Sequence, residues 1–238
     1  MTNQNYPPKR RRGDKIAARR GRRHPWWQLW TGIAVLVVAL VAGIAIQSAR
    51  SSSSGSVVTP AHALGPGGGE QRGNASAPVL VEEYGDFQCP HCADFQRDVG
   101  PTINRLVDAG TIRFVYHPIA FIGPESTTAA NAAVCAGDQG KFWPYHDQLF
   151  AQQGPENSGT FSTGKLLSIG RQVGVSDQRF TTCVNKGTYN GWVAKSTDDA
   201  SRRGVNQTPT VFVDGQAVST AITATGLQDA VNSALAAK

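Results

Sequence analysis

The sequence predicts an α/β domain that contains an inserted helical subdomain and follows one N-terminal transmembrane helix. Three observations support this prediction. A β-branched, apolar run at 79–84 is followed by apolar residues at helical spacing. A long stretch with helical patterns separates this unit from a late strand at 210–213, and an 18-residue apolar run at 29–46 precedes both.

The first 46 residues predict a membrane anchor. Residues 29–46 have Thr31 as their only polar member, which makes the run long enough to span a bilayer, and Trp26, Trp27 and Trp30 suit its interface. Residues 1–25 hold nine Lys or Arg and one acid, so the positive-inside rule places this tail in the cytoplasm. We expect a basic cytoplasmic tail over 1–25, an anchor over 26–46 and an extracytoplasmic remainder.

A cleaved signal peptide is the main alternative to an uncleaved anchor. Signal peptides usually have shorter apolar regions, and the nearest Ala-x-Ala pattern, Ala61-His62-Ala63, lies far beyond the run. Arg19-Arg20 resembles part of a twin-arginine signal, but a basic segment follows where such a signal becomes apolar. The sequence therefore favours the anchor.

Charge and composition define the segment that follows. Residues 47–76 are rich in Ser, Gly and Pro, which is typical of a flexible linker. The net charge of +6 arises from the basic tail, because the chain from Trp26 onward has more acids than bases. A domain without basic excess offers no phosphate-binding surface, so we expect contact with a membrane and none with nucleic acid.

The motif Cys89-Pro90-His91-Cys92 indicates redox chemistry. A proline after the first cysteine suits the first turn of a helix, which places Cys89 at a helix N-terminus. The unpaired backbone N–H groups there favour a thiolate and should lower the pKa of Cys89. We expect Cys89 to be the exposed, acidic thiol and Cys92, one turn further, to be the shielded resolving thiol.

Three other interpretations of this motif are weaker. A zinc site would need two more ligands from Cys135 and Cys183, which form no second close pair, so no metal is expected. A c-type haem requires histidine after the second cysteine, where Ala93 stands. A purely structural disulfide across two residues would be strained and therefore labile.

The surrounding elements occur in the order strand, CxxC, helix. The strand at 79–84 precedes the motif, and 94–109 has the apolar spacing of a helix. Further strands are predicted at 111–116 and 210–213, the second directly after Thr208-Pro209. The chain from 77 to 238 thus resembles the DsbA-like thiol:disulfide oxidoreductases of the thioredoxin superfamily, through Asp86-Phe87-Gln88-Cys89-Pro90-His91-Cys92 and Gly204-Val205-Asn206-Gln207-Thr208-Pro209-Thr210.

The resemblance implies a thioredoxin-like fold over 77–238 with a helical insertion at about 124–203. Within the insertion, helical patterns are predicted at 128–136, 143–151, 166–173 and 180–184. Cys135 and Cys183 lie in two of these helices, where a disulfide could join them; two buried free thiols are the alternative. The family does not decide between these, because many of its members lack a second pair.

The resemblance also implies roles for residues around the motif. Thr208 and Pro209 match the cis-proline loop, which faces the CxxC and binds extended substrate. Glu83 matches a buried acid that accepts or relays the Cys92 proton, with a salt-bridged or solvated glutamate as the alternative. His91 would stabilise the Cys89 thiolate, unless it is only a solvent-exposed side chain. No cofactor is expected.

The expected function is oxidation of reduced or unfolded exported proteins by dithiol–disulfide exchange at Cys89 and Cys92. By resemblance, a quinone-linked membrane reoxidase of DsbB or VKOR type would restore the disulfide, and the chain would act as a monomer. A reductase or isomerase on the same scaffold is one alternative, although isomerases usually carry a dimerisation domain. A non-catalytic thioredoxin-like binding module is the other, and the intact motif argues against it.

Overall fold

The computed structural model describes residues 57–218 and 223–238 of the chain. The predicted basic tail over 1–25, the anchor over 26–46 and residues 47–56 of the predicted linker lie outside the described residues. Among the residues that are described, no helix is long and apolar enough to cross a membrane.

A five-stranded mixed sheet forms the centre of the domain. In space the strands lie in the order β1, β3, β2, β4, β5. Strand β2 is parallel to β3 and antiparallel to β4, while the edge strands β1 and β5 pair antiparallel with β3 and β4. The bounds are β1 Glu70–Arg72, β2 Val79–Gly85, β3 Ile112–Pro118, β4 Thr210–Val213 and β5 Gln216–Ala217.

Helices cover the sheet and fill the long connection between β3 and β4. This connection is the predicted helical insertion, and it contains α3 to α7. The bounds are α1 Pro90–Asp98, α2 Gly100–Asp108, α3 Pro124–Gly137, α4 Phe142–Ala151, α5 Thr163–Gln172, α6 Gln178–Lys186, α7 Asn190–Arg202 and α8 Ala224–Ala236.

The helix predicted over 94–109 is divided in two by the structure. α1 ends before Val99, and α2 begins at Gly100 with Pro101 in its first turn. Proline has no backbone N–H and its ring clashes with the preceding turn, so a continuous helix cannot pass this point. The apolar spacing persists across the break, because Val99, Ile103 and Leu106 are all buried.

The prediction of a flexible linker over 47–76 is wrong for its C-terminal part. Residues Glu70–Arg72 form the edge strand β1, which pairs with β3. The side chain of His62 is held between two carboxylates, with Nδ1 2.9 Å from Glu70 and Nε2 3.3 Å from Asp138. The folded unit therefore begins well before residue 77, because polar contacts that composition does not reveal attach this segment.

The two faces of β2 lie in different cores. Val79 and Val81 point into the main core together with Phe87 and Tyr116. Tyr84 belongs to a smaller cluster on the opposite face, with Ile119, Ala200, Val205 and Phe212. Since side chains alternate along a strand, the neighbours Glu82 and Glu83 also point to opposite faces.

A disulfide staples the helical insertion. It joins Cys135 of α3 to Cys183 of α6, with an S–S distance of 2.01 Å and a sequence separation of 48. This disulfide is one of the two possibilities that the sequence left open, and the alternative of two buried free thiols is wrong. Cys89 and Cys92, in contrast, are free thiols in this structure.

Candidate active site

The turn between β2 and α1 presents the CxxC motif at one end of the central strand. β2 ends at Gly85, and Cys89 is the N-cap of α1, with Pro90 at the first helical position. A side chain at Gly85 would approach the Tyr116 hydroxyl to 2.6 Å, so the strand must end in glycine to pass this ring. The sequence thus positions Cys89 at a helix start, as the motif predicts.

The carboxylate of Asp86 holds the turn in place. Its Oδ1 accepts a hydrogen bond from the Gln88 backbone N–H at 2.8 Å, and its Oδ2 accepts from the N–H groups of Phe121 at 2.8 Å and Ile122 at 3.1 Å. Asp86 is fully buried. These bonds satisfy a charge that would otherwise be costly inside the protein, and they fix the loop after β3 against the redox turn.

The two thiols of the motif differ little in exposure. Cys89 is 6% exposed and Cys92 is 0% exposed. The expectation that Cys89 is an exposed thiol is therefore wrong, because the loop before β4 packs over it and its Sγ donates to the Thr208 carbonyl at 3.3 Å. Cys92 is shielded, as expected.

The acidity of the two thiols, in contrast, is very unequal. Hydrogen bonds from the Cys92 thiol, from the Thr208 side chain and from the backbone N–H groups of Cys92 and His91 lower the pKa of Cys89 to about 6, against the effect of its burial. Burial raises the pKa of Cys92, and the hydrogen bond to Cys89 and the nearby Glu83 charge raise it further. A thiolate at neutral pH therefore resides on Cys89.

Glu83 is a buried acid that remains protonated at neutral pH. Burial raises its pKa to about 8, and the Cys89 charge adds to this effect, while the Gln96 hydrogen bond and Arg72 oppose it. Its Oε2 accepts from Gln96 Nε2 at 2.7 Å. Within the described residues Oε1 has no hydrogen-bond partner and Glu83 forms no ion pair. The alternative of a salt-bridged or solvated glutamate is therefore wrong.

The adjacent Glu82 has the opposite environment on the other face of the sheet. Burial alone would raise its pKa, but hydrogen bonds from His117 and Arg203 outweigh burial and lower the pKa to about 2. Arg203 donates to both carboxylate oxygens at 2.8 Å, and His117 Nε2 lies 3.2 Å from Oε1. Glu82 is thus a permanently charged structural group.

His91 and Pro209 border a cleft beside the redox pair. The Thr208–Pro209 peptide bond is cis. His91 is exposed and bonds to the Cys89 sulfur through its backbone N–H, so the predicted role of its imidazole stays a prediction. The cleft has a volume of about 450 Å³, with Phe95 and Val99 among its lining residues.

Sequence reasoning missed three polar side chains around this site. Asp86 lies in the segment from Asp86 to Cys92 that carries the resemblance, but its sequence context predicted no role for it. No role at the site was predicted for Gln96 or Gln153. Gln96 is four residues after the buried Cys92 on α1, so helical spacing could have suggested that it faces β2. Gln153 is 64 residues from Cys89, and no local pattern connects it with the motif.

Comparison with known proteins identifies relatives of this domain. The family model described as Thioredoxin matches residues 67–233. The chain is 35% identical over 168 residues to Na(+)/H(+) antiporter NhaA 1 of Salinispora arenicola, a match that covers 69% of this chain and 24% of that protein. It is 29% identical over 150 residues to disulfide bond formation protein D of Bacillus subtilis, covering 61% of this chain and 68% of the relative.

Solved structures of thiol–disulfide oxidoreductases also resemble this domain. Oxidised BdbD from Bacillus subtilis superimposes with a TM-score of 0.67 at 25% identity, covering 72% of this chain and 95% of that one. Oxidised DsbA from Mycobacterium tuberculosis superimposes with a TM-score of 0.59 at 27% identity, covering 70% of this chain and 97% of that one. The chain thus spans about a quarter of the antiporter but nearly all of these separately solved domains.

Proposed function

This chain belongs to the thioredoxin family as a DsbA-like thiol–disulfide oxidoreductase, and from that premise we propose that it oxidises cysteine pairs in exported proteins at Cys89 and Cys92. The observation that supports this direction most is the unequal acidity of the pair. A low pKa at Cys89 stabilises the reduced enzyme as a thiolate, which makes the oxidised enzyme a stronger oxidant.

The first step of the proposed reaction opens the enzyme disulfide. A substrate thiolate attacks Cys89 Sγ and forms a new S–S bond, while the Cys89–Cys92 bond breaks and its electron pair goes to Cys92. The Cys92 thiolate that forms is buried, and burial favours its neutral form. Glu83 is protonated at neutral pH and supplies the proton, which it later regains from solvent.

The second step releases the oxidised substrate. A second substrate thiolate attacks the substrate sulfur of the mixed disulfide, forming the substrate disulfide and expelling Cys89 as a thiolate. The substrate loses two electrons and the enzyme gains them. Cys89 leaves readily because its N-terminal position on α1 and its hydrogen bonds stabilise the anion.

The loop that contains cis-Pro209 provides the substrate-binding surface in this proposal. Thr208 lies against Cys89, and Pro209 lines the adjacent cleft together with the apolar Phe95 and Val99 and the exposed His91. An extended polypeptide can hydrogen-bond to backbone at such a loop while its side chains enter the cleft.

The proposed setting is the outer side of a cell membrane. The apolar run at 29–46 would anchor the chain, the basic residues of 1–25 would remain in the cytoplasm, and the domain over 77–238 would face the exported proteins. A quinone-linked membrane protein of DsbB or VKOR type would accept the two electrons from Cys89 and Cys92. The enzyme would act as a monomer without a cofactor.

A stoichiometric exchange assay tests this function. The oxidised full chain is mixed with an equimolar reduced, unfolded protein that has two cysteines, and free thiols are counted on both proteins. We expect the substrate to lose two thiols while the chain gains two, and a Cys89→Ser variant to transfer none. Absence of exchange with the intact chain would overturn the proposed function.

A further inference from the structure

A glutamine from the helical insertion contacts the backbone of the redox turn. Gln153 lies two residues after the end of α4 and is half-buried. Its Nε2 donates to the carbonyl oxygens of Phe87 at 2.7 Å and Cys89 at 3.1 Å. One side-chain amide thus binds two carbonyls of the turn that carries the reactive sulfur.

The Cys89 carbonyl is the first acceptor of helix α1. It receives hydrogen bonds from the backbone N–H groups of Cys92 at 3.0 Å and Ala93 at 3.2 Å. The same first turn directs the N–H groups of His91 and Cys92 to the Cys89 sulfur. A third donor at this carbonyl restrains the orientation of the turn and places partial positive charge beside the thiolate.

The loop that contains Gln153 is itself held in place. Asn157 donates its backbone N–H to Gln88 Oε1 at 2.6 Å, and Gln88 Nε2 donates to Asn157 Oδ1 at 3.2 Å. Further along the loop, the Glu125 carboxylate accepts from the N–H groups of Gly159 at 2.7 Å and Phe161 at 2.9 Å. These bonds come from α3 and from the redox turn, so the loop that follows Gln153 is attached to both of them.

We propose that Gln153 is a positioning residue for the redox pair, through which the helical insertion sets how strongly oxidising Cys89 and Cys92 are. Gln153 touches no reacting atom. It acts by fixing the carbonyls of Phe87 and Cys89, and through them the N–H groups that face the sulfur. This inference rests on the proposed function, in which the stability of the Cys89 thiolate determines the position of the exchange equilibrium.

A charge series at residue 153 tests the inference in the full chain. Gln153→Lys keeps a donor and adds positive charge, Gln153→Ala removes the donor, and Gln153→Glu removes it and adds negative charge. Gln152→Ala is the matched control, because the Gln152 amide instead bonds to Gln148 at 2.8 Å and Gln172 at 2.7 Å. For each variant, we would measure the pH dependence of Cys89 alkylation, the exchange equilibrium with glutathione and the thermal unfolding midpoint.

We expect the glutathione equilibrium and the Cys89 alkylation midpoint to shift in a fixed order among the variants, while the fold stays unchanged. We expect the equilibrium constant for reduction by glutathione to fall about threefold in Gln153→Ala and about tenfold in Gln153→Glu, in line with the net effect of one hydrogen bond and one nearby charge. Gln153→Lys should equal or exceed the unmodified chain, and Gln152→Ala should match it. The alkylation midpoint should rise in the same order.

Two outcomes would overturn the inference. If the pH dependence of Cys89 alkylation and the exchange equilibrium with glutathione are the same in all four variants as in the unmodified chain, Gln153 has no influence on the pair. If Gln153→Ala and Gln153→Glu lower the unfolding midpoint but leave the alkylation profile unchanged, its role is structural only. Failure of the proposed function gives a different result: the unmodified chain itself would not exchange, and alkylation of Cys89 would still report on Gln153.

Discussion

The two cysteine pairs of this chain differ in oxidation state and in their position within helices. Cys89 and Cys92 are free thiols at the start of α1, whereas Cys135 and Cys183 form a disulfide between α3 and α6. Low exposure does not mark the structural pair, because Cys135 is about as inaccessible as Cys92 while Cys183 is only partly buried. The difference lies in the polar groups around each sulfur.

The groups around Cys89 and Cys92 give their two sulfurs very different acidities. N–H groups, a neighbouring thiol and Thr208 stabilise negative charge on Cys89, while Glu83 and burial suppress it on Cys92. Cys135 lies twelve positions into α3, beyond the reach of the N–H groups at the start of that helix. The lesson is that position relative to a helix N-terminus, more than exposure, assigns redox or structural chemistry to a cysteine here.

Trapping of mixed disulfides should show the largest difference between the pairs. In Cys92→Ser the Cys89 thiolate attacks a disulfide of an exported protein, whose S–S bond breaks and expels one thiolate of that protein. Because the resolving thiol is absent, Cys89 remains joined to the captured protein, and we expect covalent adducts that disappear on reduction. The measurement is non-reducing electrophoresis after incubation with exported proteins from the same cell envelope. Cys183→Ser is the matched control; equal adduct formation there would remove the distinction between the pairs.

Loss of the second disulfide should affect stability and leave activity intact. Replacing both Cys135 and Cys183 by serine removes a cross-link with a sequence separation of 48 from the unfolded chain, which we expect to lower the free energy of unfolding by about 3 to 4 kcal/mol. Chemical denaturation measures this loss, and the exchange assay measures activity in parallel. A folded double variant without any exchange activity would place the second pair on the electron path.

The adjacent glutamates on β2 extend the comparison to carboxyl groups, because Glu83 faces the redox pair and Glu82 lies on the other face of the sheet. The pKa of Glu83 is raised from 4.5 to about 8, so its contribution to stability is complete below pH 4.5 and is lost as pH rises through about 8. The pKa of Glu82 is lowered from 4.5 to about 2, so its contribution is complete above pH 4.5 and is lost as pH falls through about 2.

Glutamine substitutions at the two positions should therefore change stability with different dependence on pH. We expect Glu83→Gln to gain stability relative to the unmodified chain as pH rises from 5 to 8, on the order of 2 to 3 kcal/mol, because the buried carboxyl no longer ionises. Glu82→Gln should instead be less stable than the unmodified chain by a constant amount across this range, since Arg203 loses its charged partner and the Glu82 contribution is already complete above pH 4.5. Denaturant unfolding at several pH values measures both; parallel curves for the two variants would contradict these assignments.

The N-cap of α6 should give the smallest effect. The Asp177 side chain accepts a hydrogen bond from the Phe180 N–H at 2.9 Å and caps the helix that contains Cys183, whereas Cys89 caps α1 without such a bond. We expect Asp177→Ala to lower the free energy of unfolding by less than the loss of the disulfide does, and to leave exchange at Cys89 unchanged. A measurable change in the Cys89 alkylation profile would show that the two regions are coupled.

The sequence predicted the parts of the fold that local patterns encode. The strand at 79–84, the helix start at Pro90 and the strand at 210–213 all appear in the structure, because each has strong periodicity or a proline signal. The edge strands Glu70–Arg72 and Gln216–Ala217 and the C-terminal helix Ala224–Ala236 were not predicted. The edge strands are too short to show periodicity and depend on pairing with β3 and β4.

The residues of the site also fall into those that local patterns predicted and those that only the fold brings together. Cys89, Cys92 and Pro209 were identified from a contiguous motif and from a recognisable proline loop. The contacts of Asp86, Gln96 and Gln153 join residues that are far apart in the chain or depend on side-chain direction, so only the fold brings them together. The low exposure of Cys89 has the same origin, because its cover comes from Thr208, 119 residues away.

The reduction potential of the Cys89/Cys92 pair is the most direct test of this account. It is obtained by equilibrating the full chain with glutathione redox buffers and counting alkylated Cys89. A thiolate stabilised at Cys89 predicts a potential well above the about −270 mV of thioredoxin and toward the about −120 mV of DsbA. A potential at or below that of thioredoxin would contradict the account and would assign the domain to disulfide reduction.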